Sequence, residues 1–304
     1  MGGTRWSEDH YHDRKAKLKR LKKSAFEYDE EIRRGERRAG VHSKMDPRNF
    51  TNGVRESRDS EAQPNSTPIV VLFDVTGSMR RVPITLQDSL CSLMDLCLRR
   101  GFVEDPSILV GGIGDATCDI APVQIGQFES GNEIENDLAN LYLEGGGGGQ
   151  KTESYELGLY FLARKTVTDR FEKRGKKGYA FLIGDEMPYS VVSRREVKQV
   201  FGDDIQADIP LEQILAEAKE KFEIYSILPN LTSYYDDSEV IHCWRDMFGQ
   251  QALRLDDPAG ISELIASTIG LAEKATTLSE LTGDLQQQGA TAEIARSVAA
   301  ALDK

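Results

Sequence analysis

The chain has 304 residues, 39% of them hydrophobic and 29% charged, which suits one large domain or two ordinary ones and excludes wholesale disorder. No stretch approaches the ~18 uninterrupted apolar residues of a membrane helix, and the charged N-terminus carries no apolar leader, so a soluble, cytoplasmic protein without a membrane partner is expected. The formal charge of −12 is uneven: residues 1–67 hold 16 Lys/Arg against 12 Asp/Glu and the remainder 22 against 38, an acidic body that argues against nucleic acid as a partner.

Residues 1–36 predict a charged amphipathic helical arm. Tyr11, Leu18, Leu21, Ala25, Tyr28 and Ile32 fall at heptad-like intervals, a seam suited to packing on the body or on a partner helix. Residues 37–67 are polar and aperiodic and end in Gln63-Pro64-Asn65-Ser66-Thr67-Pro68, so they are expected to be a linker. Short apolar runs then alternate with helical stripes over residues 68–275. Ile69-Val70-Val71-Leu72-Phe73 predicts a strand buried on both faces, followed by a helix with Leu86, Leu90, Leu93, Met94 and Cys97 on one side. Further strands are predicted at 108–113, around Val123, Ile125 and Phe128, at 179–183, at 224–228 and at 252–255. Between them stand helical stripes, among them one with Ser193 and Glu196 as a capping box, one opened by Pro210, one over 236–248 and one capped by Asp257-Pro258 that runs to about Lys274. Strand and helix alternating at this spacing predict an α/β fold with a mostly parallel sheet covered on both faces. The Gln- and Ala-rich tail, 276–304, predicts a loose helix. Cys91, Cys97, Cys118 and Cys243 form no C-x-x-C pair and are expected to be buried and reduced.

Chemistry concentrates where the first predicted strand ends, at Phe73-Asp74-Val75-Thr76-Gly77-Ser78-Met79. One carboxylate and two hydroxyls at alternate positions offer oxygen-only ligands to a hard cation such as Mg²⁺. A plain Asp-x-Thr-Gly turn with Ser78 capping the next helix satisfies the same residues, and the motif alone leaves both open. Phe181-Leu182-Ile183-Gly184-Asp185 repeats the pattern of a buried strand ending in Asp, and Thr152 follows the run Gly145–Gly149 and opens a helix, where it also suits an N-cap. Asp185 likewise suits a helix cap. In a doubly wound sheet, ligands sit beyond the carboxyl ends of strands where their order reverses. Asp74 and Asp185 would face one crevice there and repel each other unless a cation joined them.

Asp74-Val75-Thr76-Gly77-Ser78, with Thr152 and Asp185 in later loops, resembles the metal-ion-dependent adhesion site of von Willebrand factor A domains, of the intracellular prokaryotic or phage type. The resemblance covers about residues 68–275. It implies a doubly wound sheet of six strands in the order 3-2-1-4-5-6 with one antiparallel edge strand, helices on both faces and a Mg²⁺ (or Mn²⁺) at the top. It implies Asp74, Thr76, Ser78, Thr152 and Asp185 as ligands, directly or through water, with Asp115 beside them. It further implies a non-enzymatic module that binds a protein through an acidic side chain completing the metal's coordination, within an intracellular assembly such as those containing AAA+ ATPases. Two departures stand out. Gly184-Asp185-Glu186 replaces the family's frequent Thr-Asp-Gly, and five glycines plus Gln150-Lys151 precede Thr152 where one or two glycines are common.

The motif also resembles the Asp-x-Thr-Gly-Thr nucleophile of haloacid-dehalogenase-type phosphotransferases, which would make Asp74 a covalent nucleophile. Those enzymes need a second downstream Asp, where this chain has Tyr189 and Ser190. The Gly145–Thr152 run is not a phosphate-binding loop, because Gln150 stands where glycine must precede Lys-Thr and no strand leads into it. Asp9-His10 and His12-Asp13 read as polar residues facing solvent on the arm, and His242 and Trp244 as packing. With so few histidines, no nucleophile–His–acid arrangement is supported.

Overall fold

A computed structural model describes residues 6–21, 26–146, 149–287 and 290–303. The β-branched run after the polar segment forms β1 (Thr67–Asp74), every residue of which is buried. A strand with no polar face has to lie inside the sheet. Accordingly β1 pairs in parallel with β2 (Pro106–Ile113) on one edge and with β4 (Gly178–Ile183) on the other. Beyond β2 lies β3 (Val123–Ile125), antiparallel and at the edge; beyond β4 lie β5 (Phe222–Pro229) and β6 (Ala252–Leu255), both parallel. The order β3-β2-β1-β4-β5-β6 is the one implied by the resemblance to von Willebrand factor A domains. Among the described residues, three two-stranded pairings outside the sheet have no counterpart in the sequence pattern.

Alternation along β1 divides the core. Ile69, Val71 and Phe73 pack with Leu86, Leu90 and Leu93 of α3 (Val82–Arg100) and Ile265 of α9 (Ile261–Ala272). Val70 and Leu72 face the opposite layer, with Leu157 and Phe161 of α5 (Tyr155–Arg164), Val197 of α6 (Arg194–Phe201), Ile214 of α7 (Leu211–Lys221) and Trp244 of α8 (Ser238–Phe248). The chain leaves β1 toward β2 and returns on the other side as β4, so the order reverses there and the carboxyl ends of β1 and β4 share a crevice.

The arm departs from its predicted form. It is two helices, α1 (Glu8–Leu21) and α2 (Glu27–Arg33), so the seam is split: Tyr11 and Leu18 lie on the first, Tyr28 and Ile32 on the second, and Ala25 lies outside the described residues. Phe26 breaks the pattern, leaving helical geometry before α2 to enter the core at 2% exposure. Both helices are tied to the chain's own body beside α4 (Ile134–Ala139). Arg14 donates to Asn136 at 2.9 Å and pairs with Glu135, while Arg33 donates to the Leu143 carbonyl. Replacing Phe26 with Ala should destabilise the protein by ~3–5 kcal/mol in chemical denaturation, the usual cost of emptying a buried phenyl site. An effect below about 1 kcal/mol, the level of a surface change, would place the arm outside the cooperative unit.

Residues 37–67 are held down by main-chain and isolated side-chain contacts that hydropathy does not register. Met45 is fully buried and its carbonyl accepts from Ile125 N–H, the Arg55 guanidinium donates to the Lys44 and Ile125 carbonyls, and Arg55–Ser57 pairs with Thr166–Thr168. The tail is not loose: α10 (Leu278–Gln287) and α11 (Ala292–Leu302) bury Leu281, Leu285, Ala295 and Val298 against the α3/α9 layer. Among smaller differences, α9 ends at Ala272, and Ser193 makes no side-chain cap, while Asp208 accepts from Arg194 N–H at the start of that helix. Cys97 is buried and Cys243 half-buried, but Cys118 is exposed on the loop after β2, contrary to the expectation for it; the side chain of Cys91 lies outside the described residues.

Candidate metal centre

At the end of β1 the Asp74 carboxylate projects into the crevice, fully buried. Its Oδ1 accepts from the Thr76 N–H at 2.7 Å and the Thr76 hydroxyl at 2.6 Å, the short-range closure that an Asp-x-Thr turn provides. Its Oδ2 accepts from the Tyr155 hydroxyl at 3.0 Å. Gly77 lets the turn close, because a Cβ there would stand 2.9 Å from the Gly146 carbonyl oxygen that accepts its N–H. The Ser78 hydroxyl then reaches Asp185 Oδ1 at 2.7 Å, with Glu186 Oε2 3.2 Å away. Asp185 follows β4, and its other oxygen accepts from Tyr234 N–H at 2.9 Å. Gly184 is required by Tyr155, whose hydroxyl oxygen would lie 1.7 Å from any Cβ at that position.

Sequence-predicted Asp74, Thr76, Ser78 and Asp185 are thus brought together. Asp74, Asp185 and Glu186 each offer a carboxylate oxygen within 4.8 Å of the others, and all three residues are buried. A fourth buried acid, Glu153, lies beside Glu186 and has one oxygen without a partner. No Lys or Arg among the described residues hydrogen-bonds to Asp74, Asp185 or Glu186; Lys151, the near candidate, is engaged by Asp237 and Glu239. Burial pushes the Asp74 carboxyl up, the Thr76 hydroxyl opposes this, and the neighbouring Asp185 and Glu186 push it further up. Burial is also the main cause raising Glu153 and Glu186. Clustered acids without a cation are unfavourable in a desolvated crevice. A hard divalent ion would remove the repulsion, and carboxylate and hydroxyl oxygens are the donor set it takes, so the residues fit Mg²⁺ or Mn²⁺.

Thr152 is placed differently from expectation. It does not open a helix: Thr152–Glu153 is a two-residue strand paired with Met187–Pro188, and α5 begins at Tyr155. Neighbours in an extended segment point to opposite sides. Glu153 turns to the acids, and Thr152 meets the Tyr189 hydroxyl instead. Asp115 belongs to that second group. Its fully buried carboxylate accepts from Thr117 N–H and hydroxyl at 2.8 Å, from Gln150 at 2.6 Å and from Tyr189 at 3.0 Å. Sequence reasoning missed Glu153, Tyr155 and Glu186 as site residues. Glu186 had left a trace, as a carboxylate where the family commonly has glycine.

No family model and no curated protein sequence matches the chain. In three dimensions it is similar to proximal thread matrix protein 1 from the mussel byssus, at 15% identity and a TM-score of 0.44, over 68% of this chain and 48% of that one. It is similar to the pilus adhesin SpaC from Lactobacillus rhamnosus GG in its open conformation, at 11% identity and a TM-score of 0.47, over 73% and 31%. A von Willebrand factor type A structure from Catenulispora acidiphila matches at 12% identity and a TM-score of 0.43, over 68% and 42%. The chain spans less than half the length of each of these structures.

Proposed function

We propose that this protein is a divalent-metal-dependent protein-binding module, acting without catalysis in an intracellular assembly. The observation that carries the proposal is the convergence of three buried carboxylates and two hydroxyls, from two separate strand ends, with no basic side chain among the described residues hydrogen-bonded to them. When bound, Mg²⁺ would supply a positive centre able to accept a carboxylate from an acidic residue of the partner. Asp74 is oriented by Thr76 and Tyr155, Asp185 by Ser78 and Tyr234 N–H, so both are preorganised toward one point. An acidic body repels an acidic partner at long range. Arg14 and Arg33 of the arm are occupied by the body, so local attraction falls to the ion and to the arm's other basic residues. An AAA+ ATPase assembly is a suitable setting, by analogy of family alone.

Affinity purification in Mg²⁺ and in chelator tests this proposal. A partner retained with Mg²⁺, released by chelator and absent with Asp74→Asn is the expected result; retention unchanged by both treatments overturns it. The alternative, a phosphotransferase with Asp74 as nucleophile, needs a free carboxylate oxygen. Both oxygens of Asp74 are hydrogen-bonded and enclosed, which argues against attack on a phosphoryl group. A trapped aspartyl-phosphate at Asp74 would reverse that preference.

A further inference from the structure

We infer that Glu186 is a ligand supplied by the chain itself and that it occupies the coordination position an outside carboxylate would need. The inference rests on the metal site proposed above. Glu186 Oε2 lies 3.2 Å from the Ser78 hydroxyl and 3.5 Å from that of Thr76, the two hydroxyls that also contact Asp185 and Asp74. It therefore joins the same donor set and is not a bystander on the rim. Its backbone is fixed: Trp244 Nε1 donates to the Glu186 carbonyl at 3.0 Å, and Met187 N–H donates to the Lys151 carbonyl at 2.9 Å. Such anchoring keeps the carboxylate over the crevice.

Glu153 gives independent evidence of an absent ligand. It is 2% exposed, it lies against Glu186 and Asp74, and its Oε2 has no hydrogen-bond partner. Glu129, Glu156 and Glu263 also bury an unmet carboxyl oxygen, but that of Glu153 lies beside Asp74 and Glu186, where a cation, or water bound to one, would meet it. A dication among Asp74, Asp185 and Glu186 is already over-neutralised. An acidic side chain from a partner then has to displace Glu186, so the module is closed at rest and opens by carboxylate exchange. The partner this fits is a protein presenting an Asp or Glu strongly enough to compete with an intramolecular ligand.

Mn²⁺ bound to the full chain provides the test, with water-proton relaxation reporting the waters on the ion and acetate serving as the outside carboxylate. In the wild type, bound Mn²⁺ should show a relaxation enhancement that acetate does not change. Glu186→Ala should raise the enhancement by about one inner-sphere water's contribution, acetate should lower it again, and Glu186→Gln, whose amide oxygen can still coordinate, should stay near the wild type. Equal enhancement in the wild type and Glu186→Ala, with Mn²⁺ bound to both, overturns the role of Glu186 and leaves the metal site standing. Failure of the wild type to bind Mn²⁺ overturns both. If Glu186→Ala does not fold, the wild type decides: loss of enhancement on adding acetate reveals an open position and overturns the inference, and no loss upholds it.

Discussion

Asn in place of Asp74 should abolish thermal stabilisation by divalent ions and, in chelator, melt higher than the wild type. An ion at a hundred times its dissociation constant stabilises the folded state by about 2.7 kcal/mol. For a domain of this size that corresponds to a melting shift of roughly 5–10 °C. Asn keeps the local geometry: its carbonyl oxygen can accept from Thr76 N–H and Thr76 Oγ1 as Asp74 Oδ1 does, and its amide can donate to Tyr155, whose hydroxyl reverses its role. What is lost is charge. In the ion-free state that loss is favourable, since Asp74 is pushed up by burial and by Asp185 and Glu186. In the ion-bound state it removes a ligand. Opposite signs in the two conditions separate a metal site from a structural hydrogen-bond cluster, where Asn would be neutral or destabilising in both. A full ion-dependent shift in the variant would remove Asp74 from the site.

The centre of the sheet was legible because β1 and β4 are apolar runs followed by aspartate, and both residues that end beside the crevice, Asp74 and Asp185, could be read from that pattern. What the pattern could not resolve was register at short range. Thr152 and Glu153 are adjacent, and only the pairing with Met187–Pro188 determines which of them turns to the acids. Periodicity also mistook the arm for one helix, since the seam passes Phe26 by and does not register that it leaves the helix to enter the core. Residues 37–67 looked like a linker because their attachment rests on isolated side chains, Met45 and Arg55, and on a short strand pairing, none of which produces a periodic pattern. Alanine and glutamine disguised the tail, where Leu281, Leu285 and Val298 suffice to anchor two short helices. Exposure of Cys118 was invisible for the same reason: it depends on how the loop after β2 is folded around Asp115 and Asp119.

Without metal, the protein should lose stability as pH rises from about 4 to about 8, and a divalent ion should cancel most of that loss. Burial, followed by the charges of Asp185 and Glu186, pushes the Asp74 carboxyl up to about 8, against 3.8 for an unperturbed Asp. Between those values the folded state holds more protons than the unfolded chain, so the stability slope with pH is negative. Glu153 and Glu186 are raised as well and act in the same direction. Asp169 works in a lower window. Burial would raise it, but hydrogen bonds from Lys173, Asp59 N–H and Arg58 prevail and hold it down to about 2, so its contribution is complete above the ordinary carboxylate value and lost only in stronger acid. Metal-free melting temperatures should therefore peak near pH 4–5 and decline toward pH 8, with Asp74→Asn flattening the decline. Ion binding must displace the same protons, so the ion-induced shift should grow with pH over this range. A metal-free melting temperature that rises from pH 5 to 8 would mean that the acids at the crevice are already neutralised by a group other than an ion, and the case for a metal centre would fail at its electrostatic root.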